Sequence, residues 1–298
     1  MTFQHLLEQA LYSSAIIHQP HALKAYLSTK FLCEYLDCSE KLLVQVSRLI
    51  EQDALKISCN YTDTVQQVNF SSVRRHRILE RGIYPASYQA MSQWHDEKGF
   101  TDIFQHYVSR ASRHSEYLSH NVTILLALNE VYKLLSPDSI PIFLNRLTEF
   151  VTSTFIGEEH QSELMLSTPN REGDILNACL EQPGFFGHNL ITLAWIIRCK
   201  DRLSNIQYES MLCNLNIQAV SPLEDPDDEL DSNIWNLCWR SDRYEDFRAQ
   251  IESLVFENSV NLHQITLADA LCFLQNQYPE QTARLARVAD YQTRMCAK

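Results

Sequence analysis

Apolar positions recur at helical spacing along almost the whole chain. Phe3, Leu6, Leu7, Ala10, Leu11 and Ala15 form the first such series, and Leu23, Tyr26, Leu27, Phe31 and Leu32 form a second after Pro20. Ser39 is placed as the N-cap of a third helix. Residues 60–72 are polar and aperiodic and read as a loop or short lid, with a boundary near residue 80. Helical patterns follow over Ala86 to His95 and Thr101 to Ser112. Ser136-Pro137-Asp138 opens a helix reaching about Phe155, with proline in its first turn. Further helical stretches cover Asp174 to Leu180, Ile206 to Leu215, Ile234 to Trp239 and Arg243 to Phe256, and a last one starts at Tyr278-Pro279. The alternation expected of strands is nearly absent. The pattern predicts an all-α fold, a compact multi-helix domain of about 12–14 helices. Residues 1–80 form an N-terminal helical segment packed on a main domain, 81–298, built round central apolar helices.

One of those central helices is preceded by Gly184-Phe-Phe-Gly-His188-Asn189 and then runs through Leu190 to Ile197 with hardly a polar residue. A helix apolar on every side must be buried, so the histidine at its mouth is held inside the protein. The same order of histidine, carboxamide and apolar helix occurs at His120-Asn121 and at His263-Gln264. Three histidines entering one core at helix starts can converge on a single point. The positive end of a helix dipole disfavours the imidazolium, which leaves a lone pair for a metal. The competing reading is that each is a core or capping histidine with a hydrogen-bonded ring.

Composition narrows the function classes. A formal net charge of -12 leaves few clustered cations for phosphate neutralisation, so nucleic acid is not an expected partner. Arg74-Arg75-His76-Arg77 reads as a solvated helix face. Only 6 glycines are present and none forms a phosphate-cradling pattern, so no nucleotide cofactor is expected. The 9 cysteines are scattered without zinc spacing, which fits reduced thiols and a cytoplasmic location. No apolar run approaches the length of a membrane span, so no membrane association is expected.

Other candidate chemistry is weaker. Glu116 and His120 are four residues apart and would share a face on a continuous helix, with His114 needing a break before them. The acidic turn Gly157-Glu158-Glu159-His160 lacks the Glu-x-x-His motif of a di-iron bundle. The acidic run Glu224 to Asp231 lacks the mid-loop glycine of a calcium loop and reads as a linker.

Three pieces of the chain belong together: Ser119-His120-Asn121 with Ile124, Leu125, Ala127 and Leu128; Phe186-Gly187-His188-Asn189-Leu190-Ile191 with Ala194; and Leu267-Ala268-Asp269-Ala270-Leu271 with the closing helix through Leu285, Val288 and Arg294. In combination they resemble the questin oxidase-like family. The resemblance covers about residues 105–297 and leaves the first hundred unmatched. It implies an all-helical oxidoreductase with a non-haem iron centre held mainly by histidines, dioxygen as co-substrate and an aromatic substrate. His120 and His188 match ligand-type positions, and His263 is the candidate third. The family pattern also expects a histidine in the closing helix, where this chain reads Arg284-Leu-Ala-Arg287-Val-Ala-Asp290 and has none.

The combined expectation is a metal site of His120, His188 and His263. Glu116 or Asp269 would complete the shell or orient an imidazole. Fe(II) is the expected metal, and Zn fits imidazole equally. Phe186, Trp195 and Trp235 would wall a pocket for an aromatic or apolar small molecule. The alternative is a non-catalytic helical binding or scaffold protein with a protein partner, which keeps the fold and has lost the metal site.

Overall fold

A computed structural model describes residues 1–15, 20–36, 39–56, 68–113, 116–157, 171–223, 225, 228–238 and 241–297. Fourteen α-helices are found among them: α1 (Phe3–Leu11), α2 (His21–Tyr35), α3 (Ser39–Asp53), α4 (Ser72–Glu80), α5 (Ala86–Arg113), α6 (His120–Tyr132), α7 (Ile140–Thr154), α8 (Glu172–Glu181), α9 (His188–Arg198), α10 (Asn205–Val220), α11 (Ser232–Leu237), α12 (Tyr244–Phe256), α13 (Leu262–Gln277) and α14 (Thr282–Met295). The all-α expectation holds. The exception is a short antiparallel pair, Ser13–Ala15 (β1) with Ala54–Lys56 (β2), in which Ser14 faces Leu55. Ala15, which the apolar spacing assigned to the first helix, belongs to this pair, because α1 stops at Leu11. Expectations for His114, Trp239, the acidic turn at 158–160 and most of the polar stretch from 60 lie outside the described residues.

Local sequence explains most helix boundaries. Thr2 and Ser71 cap α1 and α4 through their hydroxyl oxygens. Ser204 with Gln207, and Asn261 with Gln264, form reciprocal capping boxes at the starts of α10 and α13. Gly99 takes a φ of 77° inside α5, which breaks that long helix between the two stretches that the sequence separates.

The site depends on four helices that are buried on most of their surface. α2 packs on α6, α6 on α9, α9 on α13, and α13 back on α2, which closes a ring. Leu23 and Leu27, Ile124 and Leu128, Leu190 and Leu193, and Leu267 and Leu271 fill its centre, and each is at most 2% exposed. Burying a leucine side chain contributes about 2 kcal/mol, so these side chains hold the four helices firmly together. The remaining helices screen it from water, which is why none of the four shows a polar face.

Candidate metal centre

Each helix of the ring brings a histidine to the same end. His21, His120 and His188 are the first residues of α2, α6 and α9, and His263 is the second of α13. Neighbouring rings follow the order of the helices. Ring centroids lie 5.0 Å apart from His21 to His120, 4.9 Å from His120 to His188, 4.9 Å from His188 to His263 and 4.8 Å from His263 to His21. Candidate ligand nitrogens of His21, His120 and His263 all lie within 4.8 Å of one another. His188 joins this group through His120, with Nε2 atoms 3.0 Å apart, while the Nε2 atoms of His21 and His120 are separated by 3.4 Å. Two nitrogens on one tetrahedral ion, each about 2.1 Å from it, would lie about 3.4 Å apart.

Two of the histidines are placed by unusual backbone. Leu118 and Ser119 precede His120 with φ of 65° and 52°, and Phe186 and Gly187 precede His188 with φ of 44° and 71°. Leucine and phenylalanine rarely adopt this left-handed conformation, and such strain is held only where surrounding packing fixes it. Both turns therefore put histidine in the same place, directly after two left-handed residues and at the first helical position. At Gly187 a side chain is excluded twice, because a Cβ would also lie 2.5 Å from Leu267 Cδ1. The two turns are clasped by Gln218 of α10. Its Oε1 accepts from Ser119 Oγ at 3.0 Å and its Nε2 donates to Asn189 Oδ1 at 2.6 Å. Asn189 in turn donates to the Gln182 carbonyl at 2.7 Å.

The left-handed pair also changes the role of Glu116. The chain is not a continuous helix from Glu116 to His120, so the two do not share a helical face. Instead, Glu116 Oε2 accepts from the Asn121 backbone N–H at 2.7 Å and caps α6. Burial raises its pKa and this hydrogen bond opposes the rise. Asp269 lies further along α13 than His263, fully buried, where its carboxylate takes two hydrogen bonds from Arg198, at 2.6 and 2.9 Å, and one from Ser28 at 2.8 Å.

All four imidazoles are held neutral. Burial is the main cause at each, reinforced by the neighbouring rings and by Lys24 at His21, His120 and His188. At His263 burial and Lys24 lower the pKa to about 3. His188 Nδ1 bonds the Phe185 carbonyl oxygen, which identifies Nδ1 as its protonated nitrogen and leaves the Nε2 lone pair facing His120. His263 Nε2 is buried with no hydrogen-bond partner among the described residues. Lone pairs crowded at this spacing, one of them without any donor, fit a cation better than they fit one another. Neutral nitrogen donors suit iron, zinc, copper or nickel.

Sequence reasoning missed His21 and Lys24. Pro20-His21 opens an apolar helix just as the other three histidines do, but no carboxamide follows. Lys24, 1% exposed, is one turn further along α2, with Nζ 3.4 Å from Thr123 Oγ1 of α6. Burial lowers its pKa to about 7.

The expected pocket residues divide. Phe186 stacks near His263 with centroids 5.6 Å apart, and its neighbour Phe185 stacks near His188 at 5.8 Å. Trp195 is fully buried on α9 beside Phe31 and Arg198. Trp235 packs on Tyr291 and Arg287 of α14. A cavity of about 250 Å³ reaches His188 between Phe185, Leu118, Gln218 and Pro222. No family model, curated protein or solved structure matches this chain. Among the described residues no helix is long and apolar enough to cross a membrane.

Proposed function

We propose that this protein is a non-haem metal-dependent oxidoreductase, with Fe(II) held by His21, His120, His188 and His263, acting on an aromatic or apolar small molecule with dioxygen. The observation that carries the reading is the closed ring of four neutral imidazoles, one from each helix of the buried ring. When bound, Fe(II) supplies a site at which dioxygen can accept electrons; zinc would instead activate water. The chain's own residues fix the rings, supply a cavity bounded by Phe185 and Leu118, and keep bulk water from His188. The resemblance to the questin oxidase-like family supports the same chemistry, and His21 supplies a fourth imidazole where that pattern expects one in the closing helix.

The test is oxygen consumption by iron-loaded protein over a panel of hydroxylated and unsubstituted aromatic compounds, with His188→Ala as control. Substrate-dependent uptake in the wild type and its loss in the variant are expected. Iron-loaded protein that consumes no oxygen with any aromatic compound would sink the oxygenase reading.

A second reading is favoured by one observation. Lys24 and the positive ends of the helices oppose a cation at the cluster, as expected if the imidazoles only bond one another in a non-catalytic helical protein. Failure to take up metal under any loading condition would favour it.

A further inference from the structure

The site holds an unusual balance of charge. A divalent ion among four neutral imidazoles keeps its full charge in a region of low dielectric, where an uncompensated charge is costly. Histidine sites elsewhere are commonly balanced by a carboxylate, and here three carboxylates that meet these helices are engaged. Asp269 is tied to Arg198. Glu116 caps α6, and Asp53 accepts from Leu262 N at the start of α13. Among the described residues, Lys24 is a cation that acts on all four rings and disfavours their protonation.

Apart from the capping carboxylates of Glu116 and Asp53, the helix starts at this end of the fold present partial positive charge. The first turns of α2, α6, α9 and α13 meet there, each directing backbone N–H groups toward its own start. The starts of α2 and α9, at Pro20 and Gly187, have no side-chain cap. Lys24 is buried with a single long contact to the Thr123 hydroxyl, and no carboxylate pairs with it among the described residues. A lysine ammonium has three donors, so this group has hydrogen bonds left to give.

We propose that the four-histidine cluster, reached by the cavity at His188, takes its ligand as an anion, an ionised hydroxyl or a carboxylate, with Lys24 as the protein's cation that this anion balances together with the metal. The proposal rests on the metal reading above and narrows its substrate class from aromatic compounds in general to acidic ones. The anion offsets the ion, the lysine and the starts of α2 and α9, which have no side-chain cap. Among the described residues the cavity wall beside His188 is made by carboxamides, Ser221 and apolar groups and carries no carboxylate, so the negative charge arrives with the ligand.

The test uses the full chain loaded with Co(II), whose visible spectrum reports ligand changes, and titrates benzoate, 4-nitrophenol and the neutral benzyl alcohol. Metal content is measured first on every sample. In the wild type benzoate or 4-nitrophenolate is expected to bind at least about tenfold more tightly than benzyl alcohol. The preference between the two anions tells carboxylate from ionised hydroxyl. Lys24→Met should weaken the preferred anion about tenfold with metal content retained, and Lys24→Arg should keep most of the affinity. Equal binding of benzyl alcohol, or unchanged anion binding in Lys24→Met, would overturn the proposal while leaving the metal centre intact. Absence of bound Co(II) in the wild type would overturn both.

Discussion

His120 and His188 meet through Nε2 atoms 3.0 Å apart, and only one of those atoms can carry the hydrogen between them. His188 uses Nδ1–H on the Phe185 carbonyl, so in the metal-free protein the hydrogen belongs to His120 Nε2. Metal ligation through Nε2 has to displace it to Nδ1. Nitrogen-15 spectra of the histidine rings should therefore show His120 changing tautomer on addition of a diamagnetic ion such as zinc, with His188 keeping its Nδ1 proton throughout. An unchanged His120 in metal-saturated protein would mean that it is not a ligand through Nε2.

The left-handed turns make a local prediction. Gly187→Ala places a Cβ against Leu267 in a backbone conformation that L residues avoid, and should cost about 2–4 kcal/mol in urea unfolding. Ser119→Gly, at the equivalent place before His120, relieves strain of about 1 kcal/mol and loses one hydrogen bond of about the same size. It should stay within about 1 kcal/mol of the wild type. A tolerated alanine at 187 would show that the turn before His188 is not fixed by that contact.

Much of this architecture is legible in sequence because burial on all sides leaves a compositional mark. His120, His188 and His263 stand out where polar residues meet wholly apolar helices, and the same mark was present at Pro20-His21-Ala22-Leu23. It was obscured there because Lys24 interrupts the apolar run and reads as an exposed residue, the usual place for an unpaired lysine. Glu116 misled for a different reason. Spacing of four residues implies a shared face only on an unbroken helix, and nothing in Leu118 announces a positive φ. Trp235 was grouped with the pocket by ring type, whereas its partners Arg287 and Tyr291 are set by tertiary packing that no periodicity encodes.

Asp269 serves the fold through its pairing with Arg198. Its carboxylate neutralises Arg198, whose guanidinium lies over Phe31 and Phe273. Asp269→Ala leaves that guanidinium without its partner and should destabilise the fold by about 3–5 kcal/mol. Metal stoichiometry of the folded fraction should be unchanged. Loss of metal at full helicity would instead give Asp269 a direct role in orienting the centre.

Acid sensitivity follows from the histidines. Their folded pKa values are depressed, so below the unfolded value of about 6.5 the unfolded chain binds more protons than the native one. Above that pH they carry no protonation penalty, and stability is lost as pH falls toward about 3, the value to which burial lowers the His263 pKa. Each contributes a slope of up to about 1.4 kcal/mol per pH unit. Circular dichroism should show cooperative acid unfolding in this window, shifted to lower pH by bound metal. Lys24, depressed to about 7, has the same sign at higher pH, with stability rising from about pH 7 to 10.5. Lys24→Met should therefore raise the melting temperature at pH 7 and flatten that rise. A lower melting temperature in this variant would contradict the buried, uncompensated lysine.

The most direct test of the four-histidine centre is elemental analysis of untagged protein purified without chelators, alongside His21→Ala, His120→Ala, His188→Ala and His263→Ala. Near-stoichiometric iron in the wild type, with a marked loss in every variant that keeps its helical circular dichroism, is the predicted result. His21→Ala is the sharpest arm, since the packing of α2 against α6 and α13, and not a carboxamide after the histidine, places His21 in the cluster. Wild-type protein without metal, even after anaerobic addition of Fe(II), would contradict the centre and leave four histidines bonded to one another in the core.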